Sequence, residues 1–382
     1  MELVGIVLFL GDGVAVKKIS QYIGVFMVAF LLIVISFVTI QINGSDQWIY
    51  HTVFISMVLN FFGAFFIYKV SSKIIDDLES LLHVIIKCVL VQCIVAVLFK
   101  VYPPFYNFIY SIIYSEGVEK NVLYGVESLY RLVGIGNAVA FAILPTSGLG
   151  MLSCAYFLIK SEGKRYYYYL LSILFISSVS FLIARTSILL SAMTLIYLLL
   201  SYLDRKQIKK TIKTLLLVSI AIGLVLSFAV IILPEDIYLW AFEMFLNVQE
   251  GGEATDTGTA NLIYSMMTET HFSPRTFLIG DAMYNNPSGG YYGGADIGYY
   301  RQVLYYGLPG LFCFLLLHYL LIKKCVKKVN GSDAKRFFWF LFFNFLIILM
   351  KGDIVMTPLF IFLLVMIDFN KAPINIKRHV YK

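Results

Sequence analysis

Residues 22–42 read YIGVFMVAFLLIVISFVTIQI, an apolar stretch of about the length that crosses the ~30 Å hydrocarbon core of a bilayer as one α-helix. Similar stretches recur along the 382-residue chain, in which hydrophobic residues make up 60% and charged residues 14%. An average soluble domain is roughly 45–50% apolar and about 25% charged. This composition excludes a soluble enzyme and predicts a polytopic integral membrane protein.

Further apolar blocks follow the first, and a weaker one at 2–16 is interrupted by Gly11-Asp12-Gly13. Together with 22–42 the strong blocks are 48–68, 81–101, 137–159, 166–184, 186–203, 214–233, 299–322, 337–350 and 354–369. Their lengths predict an all-α fold of about 10–11 transmembrane helices. The sequence contains no visible internal repeat, unlike transporters that are built from two related halves.

The distribution of Lys and Arg sets the orientation, because basic residues are retained on the cytoplasmic side of short loops. Placing Lys17 and Lys18 in the cytoplasm and alternating the spans collects 22 of the 30 basic residues on that side. The C-terminus is then cytoplasmic. We expect three regions, which are an N-terminal bundle at 1–233 with an outer loop near 102–136, one large outer loop at 234–298, and C-terminal helices with a basic cytoplasmic tail at 299–382.

Several functional classes are excluded by the same layout. The cytoplasmic segments are short and basic, too small for a nucleotide-binding domain, and the sequence has no GxxxxGK[ST] motif. The five cysteines follow no spacing typical of zinc sites or of a disulfide framework. The net charge of +7 is explained by membrane orientation rather than by nucleic-acid binding. We expect no cofactor, no metal and no nucleic-acid partner.

Four arginines break the positive-inside pattern: Arg131, Arg185, Arg275 and Arg301. Arginines that converge at the outer face would bind an anionic group, and the guanidinium fork suits the paired oxygens of a lipid-linked pyrophosphate. Each also has a simpler interpretation. Arg185, in FLIARTSILL, and Arg131 are equally consistent with anchors that reach lipid headgroups. Arg275 is the sole cation of an outer loop whose formal charge is −8, and it is equally consistent with a salt-bridge hub.

The large outer loop holds the candidate acid–base groups. His271 is a candidate general base because imidazole titrates near neutrality, although a loop histidine is often merely exposed. Asp281 is one of several loop carboxylates that could take the same role. Asp296 lies five positions before Arg301, so the two face each other only if the chain bends near Gly298. Such a pair would be either a structural ion pair or part of a catalytic site.

The stretch MYNNPSGGYYGGAD, residues 283–296, is rich in turn-forming residues. One interpretation is a flexible connector. The other is a mobile lid whose Tyr291 and Tyr292 stack on sugar faces and exclude water, as closing loops do in transfer enzymes. The sequence leaves both interpretations open.

Three stretches carry a resemblance to a known family. They are ARTSILL at 184–190, RTFLIGDAMY at 275–284 and ADIGYYRQVLYYGLPGLF at 295–312. In a polytopic chain with one large outer loop, they resemble the bacterial O-antigen and capsular repeat-unit polymerases of the Wzy type, to which the O-antigen ligases are related. As motif, the resemblance rests on Arg185, on Gly280-Asp281 and on the stretch from Asp296 to Gly310.

The resemblance implies an inverting, metal-independent glycosyl transfer at the outer face of the bacterial cytoplasmic membrane. Undecaprenyl-pyrophosphate-linked oligosaccharides would be joined into O-antigen, capsular polysaccharide or exopolysaccharide without a cofactor. The implied partners are this lipid-linked glycan, membrane lipids, a chain-length regulator and a flippase. The catalytic residues would be Arg185, Arg301, His271 and Asp296. The substrate-binding residues would be Arg131, Arg275, Asp281, Tyr291, Tyr292 and Tyr299.

Other functions remain open on the sequence. An O-antigen ligase shares the plan and the substrate class but hands the glycan to a different acceptor. A repeat-unit flippase or other transporter would have buried charges along a central cavity, two similar halves and short outer loops. Here the spans are nearly free of mid-membrane charge and one outer loop is long. A sensor or structural subunit would leave the outward arginines unexplained.

Overall fold

The computed structural model describes residues 1–71, 74–75, 77–113, 132, 134, 143–219, 239, 242–243, 246–247, 272–287, 289–294 and 297–352. Its helices are α1 Glu2–Gly11, α2 Gly13–Ile19, α3 Ile23–Asn43, α4 Ile49–Ser71, α5 Leu78–Val101, α6 Pro103–Ile113, α7 Leu144–Lys160, α8 Gly163–Ile183, α9 Ser187–Asp204, α10 Pro274–Leu278, α11 Gly298–Lys328 and α12 Ser332–Leu349. Residues 208–219 are also helical. Within these ranges the only extended pairing is an isolated bridge between Asn285 and Tyr291.

Six of the described helices are long and apolar enough to cross a membrane: α3, α4, α5, α8, α9 and α11. They confirm an all-helical, multi-pass membrane protein. α7 and α12 overlap the predicted spans 137–159 and 337–350. α1 has 10 residues, which is about 15 Å at 1.5 Å per residue and too short to cross the bilayer. The predicted span 354–369, the part of 214–233 beyond residue 219, and the C-terminus lie outside the described residues.

α7 is the buried centre of the bundle. It packs against α5, α8, α9 and α12, and every residue from Ser147 to Ile159 is buried. Small residues allow neighbouring helices to approach closely in a membrane. A Cβ atom on Gly150 would lie 2.7 Å from Cγ1 of Val89, so the side chain from α5 occupies the space that this glycine leaves.

The basic ends of the helices meet at one end of the bundle, here called the basic end. Three contacts join the ends of α7, α9 and α11 to the starts of α5, α12 and α3. They are Lys160 Nζ to Glu79 Oε1 at 2.6 Å, Arg205 to Asp333, and Lys324 Nζ at 5.2 Å from the centroid of the Tyr22 ring. By the positive-inside rule we expect this end to face the cytoplasm.

α11 is broken near the opposite end of the bundle. Tyr306 and Gly307 have non-helical backbone angles, and Gly307 has a φ of +72°. Pro309, two residues after Gly307, favours the break because proline has no N–H to donate to the carbonyl one turn earlier. Residues 308–328 alone are about 30 Å long, enough to cross the hydrocarbon core. The predicted span 299–322 falls within this helix, and the break at Tyr306 and Gly307 is a feature that the apolar pattern does not predict.

Candidate functional site

The loop that precedes α11 docks on the break in that helix. The backbone N–H of Asp281 donates to the carbonyl of Leu304 at 2.7 Å, and that of Ala282 donates to the carbonyl of Tyr305 at 2.9 Å. Gly280 has a φ of +80°, and a Cβ atom there would lie 2.3 Å from the carbonyl oxygen of Tyr305. Only glycine satisfies both the backbone angle and the close approach. The Gly280-Asp281 motif is thus a docking point between the loop and the broken helix.

The same loop is held by polar residues at the end of α3. Gln47 Oε1 accepts hydrogen bonds from the backbone N–H groups of Tyr284, at 2.6 Å, and Asn285, at 2.8 Å. Three more side chains donate to loop carbonyls: Thr39 to Ile279 at 3.1 Å, Asn43 to Gly280 at 3.1 Å and Ser45 to Ala282 at 2.6 Å. The sequence analysis missed this role. The available signal was the run QINGSDQ, which is unusually polar for the end of a span.

Arg301 lies between two tyrosine rings. Its guanidinium carbon is 4.0 Å from the centroid of Tyr284 and 3.8 Å from that of Tyr291, and the arginine is 7% exposed. The two rings are nearly perpendicular, at 86° to each other, so the guanidinium lies in the corner between them and is held by cation–π contact with both. The predicted residues Arg301 and Tyr291 are therefore brought together, and Tyr284 is a member of the group that the sequence did not single out.

Asp281 is held by two hydroxyl groups. Thr276 Oγ1 lies 3.1 Å from each carboxylate oxygen, and the Tyr292 hydroxyl donates to Oδ2 at 3.3 Å. Burial raises the pKa of Tyr292, and the negative charge of Asp281 raises it further. Tyr292 therefore stays protonated and remains a donor. The structure thus brings the predicted residues Asp281 and Tyr292 into direct contact.

Two other predicted residues are tied to neighbouring helices. Arg275 Nη2 donates to Oδ1 of Asn43 at 2.8 Å, and no carboxylate in the described ranges lies within ion-pair distance of it. The salt-bridge interpretation of Arg275 stays a prediction, because most of the loop carboxylates lie outside the described residues. The Tyr299 hydroxyl donates to the carbonyl of Leu346 on α12 at 2.9 Å. Contact of either residue with substrate stays a prediction.

Arg185 occupies the short turn between α8 and α9, as the sequence predicts. Its Nη1 lies 2.6 Å from Oε2 of Glu243, which belongs to the segment predicted as the large outer loop. A protein carboxylate at this distance favours a role within the protein over a simple headgroup anchor. α12 packs against both α9, which follows Arg185, and α11, which carries Arg301. Arg185 and Arg301 therefore lie at two helices, α9 and α11, that both pack against α12.

Three of the predicted site residues, Arg131, His271 and Asp296, lie outside the described residues. The residue after Arg131 is described: the backbone N–H of Leu132 donates to the carbonyl of Leu182 at 3.2 Å. Among the described side chains, no group of three or more His, Cys, Asp or Glu residues could hold a metal ion.

The described residues thus include an arginine in contact with two tyrosine rings beside a hydroxyl-bound carboxylate, and, separately, an arginine in the turn between α8 and α9. Such a set offers a cationic edge for an anionic group beside a carboxylate that can accept a proton. Its aromatic rings offer surfaces on which a sugar can stack. Comparisons of this chain with models of protein families, with curated proteins and with solved structures found no match.

Proposed function

We propose that this protein is a repeat-unit polymerase that joins undecaprenyl-pyrophosphate-linked oligosaccharides at the outer face of the bacterial cytoplasmic membrane. The observation that carries the proposal is the guanidinium of Arg301, on α11, in contact with the rings of Tyr284 and Tyr291 from the loop that also holds Asp281. This loop docks on the break in α11, at the end of the bundle opposite the basic end, where we expect the outer face of the membrane. A substrate with a lipid tail, a pyrophosphate and a glycan would contact the protein at this end of the bundle.

The donor pyrophosphate is assigned to the arginines. Contact with the two rings holds Arg301 in place, so its guanidinium would bind phosphate oxygens with little further ordering of the side chain. Arg185 supplies a second guanidinium from the turn between α8 and α9, and Arg131 a third. Their positive charge would stabilise the negative charge that builds up on the pyrophosphate as its bond to the sugar breaks.

The polyprenyl tail is assigned to the apolar surface beside the break in α11. Leu308 and Phe312 are 48% and 66% exposed, and the neighbouring Leu278 on α10 is 68% exposed. A Cβ atom at Gly307 would lie 2.9 Å from the carbonyl carbon of Leu278, so α10 and the start of the spanning part of α11 are adjacent. A tail lying along these side chains would stay in lipid while its pyrophosphate reaches Arg301.

The reaction is a single displacement at the anomeric carbon of the donor. An acceptor sugar hydroxyl attacks that carbon, the bond between it and the pyrophosphate oxygen breaks, and the electron pair leaves with polyprenyl pyrophosphate. The hydroxyl proton passes to a loop base, for which His271, Asp281 and Asp296 are the candidates. Attack opposite the leaving group inverts the anomeric configuration. The energy comes from breaking the bond between the donor sugar and the pyrophosphate, so no nucleotide is consumed.

The position of the break in α11 favours this function over transport. Discontinuous helices in transporters place their breaks near the bilayer midplane, where the substrate binds. Here about 30 Å of helix remains after Gly307, which is enough to cross the hydrocarbon core, so we expect the break at the membrane edge. That position suits a site served from one side of the membrane.

The size distribution of surface glycan tests the proposal, measured by gel in a strain that lacks this gene and after complementation. If the protein is a polymerase, we expect a single repeat unit on the lipid acceptor in the strain that lacks the gene. Complementation should restore the ladder of longer glycans. Long polymer that remains on its polyprenyl carrier would instead identify a ligase. Repeat units trapped on the inner leaflet would identify a flippase.

A further inference from the structure

An open cavity of about 670 Å³ lies at the basic end of the bundle, far from the candidate site along the chain and on the opposite membrane face. It lies where the turn between α1 and α2 meets the end of α4. Its lining residues are Val7, Leu8, Gly11, Asp12, Gly13, Lys17 and Lys69. This volume falls in the usual range for small-molecule pockets, roughly 300–1,000 Å³.

The turn between α1 and α2 shapes this cavity. Asp12 Oδ1 accepts a hydrogen bond from the backbone N–H of Ala15 at 3.0 Å, which caps the start of α2. Asp12 Oδ2 lies 2.6 Å from Lys69 Nζ, which fastens the turn to α4. A side chain on Gly11 or Gly13 would point into space that no other atom occupies within 4 Å. Both glycines therefore leave the cavity open.

The charges of the cavity suit an anion. Lys17 and Lys69 against Asp12 give a formal charge of +1. Lys17 is exposed, and Lys69 lies 5.5 Å from the centroid of the Phe65 ring, so its aliphatic stem runs along an apolar surface. Two lysines on different helices can contact one phosphate group from two directions.

The remaining wall is apolar and exposed. Val7 is 71% and Leu8 is 41% exposed, and the same helix exposes Leu3 and Leu10. α1 is too short to cross the bilayer, so these side chains line a half-membrane surface that continues directly into the two lysines. A free phosphate ion would use only the lysines, whereas a lipid would use both surfaces.

We propose that this cavity binds an acidic phospholipid, with its phosphate between Lys17 and Lys69 and its acyl chains along the exposed face of α1. The site is separate from the proposed glycosyl transfer and does not depend on it. A bound lipid would fill the half-membrane gap beside α1 and hold α1 and α2 against α4.

The test is a titration of the purified full chain in detergent with phosphatidylglycerol and, separately, with phosphatidylcholine, with bound lipids counted by native mass spectrometry. The wild type should retain one phosphatidylglycerol more tightly than phosphatidylcholine. Lys17→Gln should weaken phosphatidylglycerol binding about five-fold, the effect of one lysine near an anionic headgroup, and leave phosphatidylcholine unchanged. Asp12→Asn keeps the cap on α2 and removes a negative charge, so it should tighten binding of phosphatidylglycerol.

A matched control is Lys164→Gln, an exposed lysine at the basic end of α8 that does not line the cavity. It should bind phosphatidylglycerol as the wild type does. The proposal is overturned if Lys17→Gln retains wild-type binding, or if Lys164→Gln loses as much as Lys17→Gln. Displacement of the lipid by millimolar inorganic phosphate would overturn the assignment to a phospholipid.

Discussion

Nη1 of Arg185 lies 2.6 Å from Oε2 of Glu243. This ion pair joins the turn between α8 and α9 to the large outer loop, two parts of the protein that the sequence separates by 58 positions. The pair fixes the position of the Arg185 guanidinium, and a guanidinium has five N–H donors in all. A second anion with several oxygens, such as a pyrophosphate, can therefore share the same guanidinium.

Arg185→Ala should abolish polymer formation while the protein level stays normal, because the guanidinium that holds the pyrophosphate is lost. Arg185→Lys should rescue poorly, since a lysine lacks the bidentate fork. The measurement is the glycan ladder by gel, with an immunoblot of the membrane fraction. Arg165→Ala, at the basic end of α8, is the matched control and should leave the ladder intact. Full-length polymer in the Arg185→Ala strain would refute the assignment.

The two rings around Arg301 should matter through their faces and not through their hydroxyl groups. Tyr291→Phe keeps the cation–π contact and should leave the polymerisation rate close to that of the wild type. Tyr291→Ala removes one face and should lower the rate about tenfold, since such contacts contribute about 1–2 kcal/mol when desolvated. Arg301→Lys should be at least as severe because it loses the planar stack. Equal rates for Tyr291→Phe and Tyr291→Ala would show that the stack has no role.

Substitution of Asp281 should lower the polymerisation rate far more than substitution of Tyr292, the residue whose hydroxyl group donates to its carboxylate. If Asp281 accepts the acceptor proton, Asp281→Asn removes nearly all activity at any substrate concentration. Tyr292→Phe removes one hydrogen bond to that carboxylate and should cost only a few-fold in rate, in line with about 0.5–1.5 kcal/mol for such a bond. Initial rates with saturating acceptor distinguish these outcomes. Substantial activity in Asp281→Asn would transfer the role of base to His271.

The docking of the loop on α11 predicts a steep cost for a methyl group at Gly280. Its backbone angle alone disfavours alanine, and the new Cβ would also collide with the carbonyl of Tyr305. Gly280→Ala should destabilise the protein by on the order of 3–5 kcal/mol. Gly44→Ala is the control, because Gly44 has a φ of +59° with no atom in the way, and it should cost only about 1–2 kcal/mol. Thermal unfolding in detergent compares the two, and equal shifts would argue against the close contact.

The membrane spans were predictable because a span needs only a run of apolar side chains of a given length. α3, α4 and α9 appear close to the places that the apolar blocks indicate. Arg185 was equally predictable as a turn residue, since it stands between two such blocks with almost no loop around it. The weaker block at 2–16 is divided at its Gly11-Asp12-Gly13 interruption, with α1 ending at Gly11 and α2 beginning at Gly13.

The interior of the site was less accessible to sequence reasoning. Gln47 and Tyr284 meet across 237 positions, and no local pattern encodes a contact between residues so distant in the chain. The break in α11 had a visible cause in Gly307 and Pro309, but hydropathy treats both as part of one apolar run. No glycines flank Tyr284, whereas the pair at 291–292 has glycines on both sides, so the sequence marks that pair and not Tyr284.

The most direct test of the central claim uses the purified protein in liposomes with polyprenyl-pyrophosphate-linked repeat units, a metal chelator and no nucleotide. The account predicts glycan chains of increasing length, one polyprenyl pyrophosphate released for each bond formed, and no product with Arg185→Ala. The account would be contradicted if a folded wild-type preparation left the repeat units unjoined, or only moved them between the leaflets.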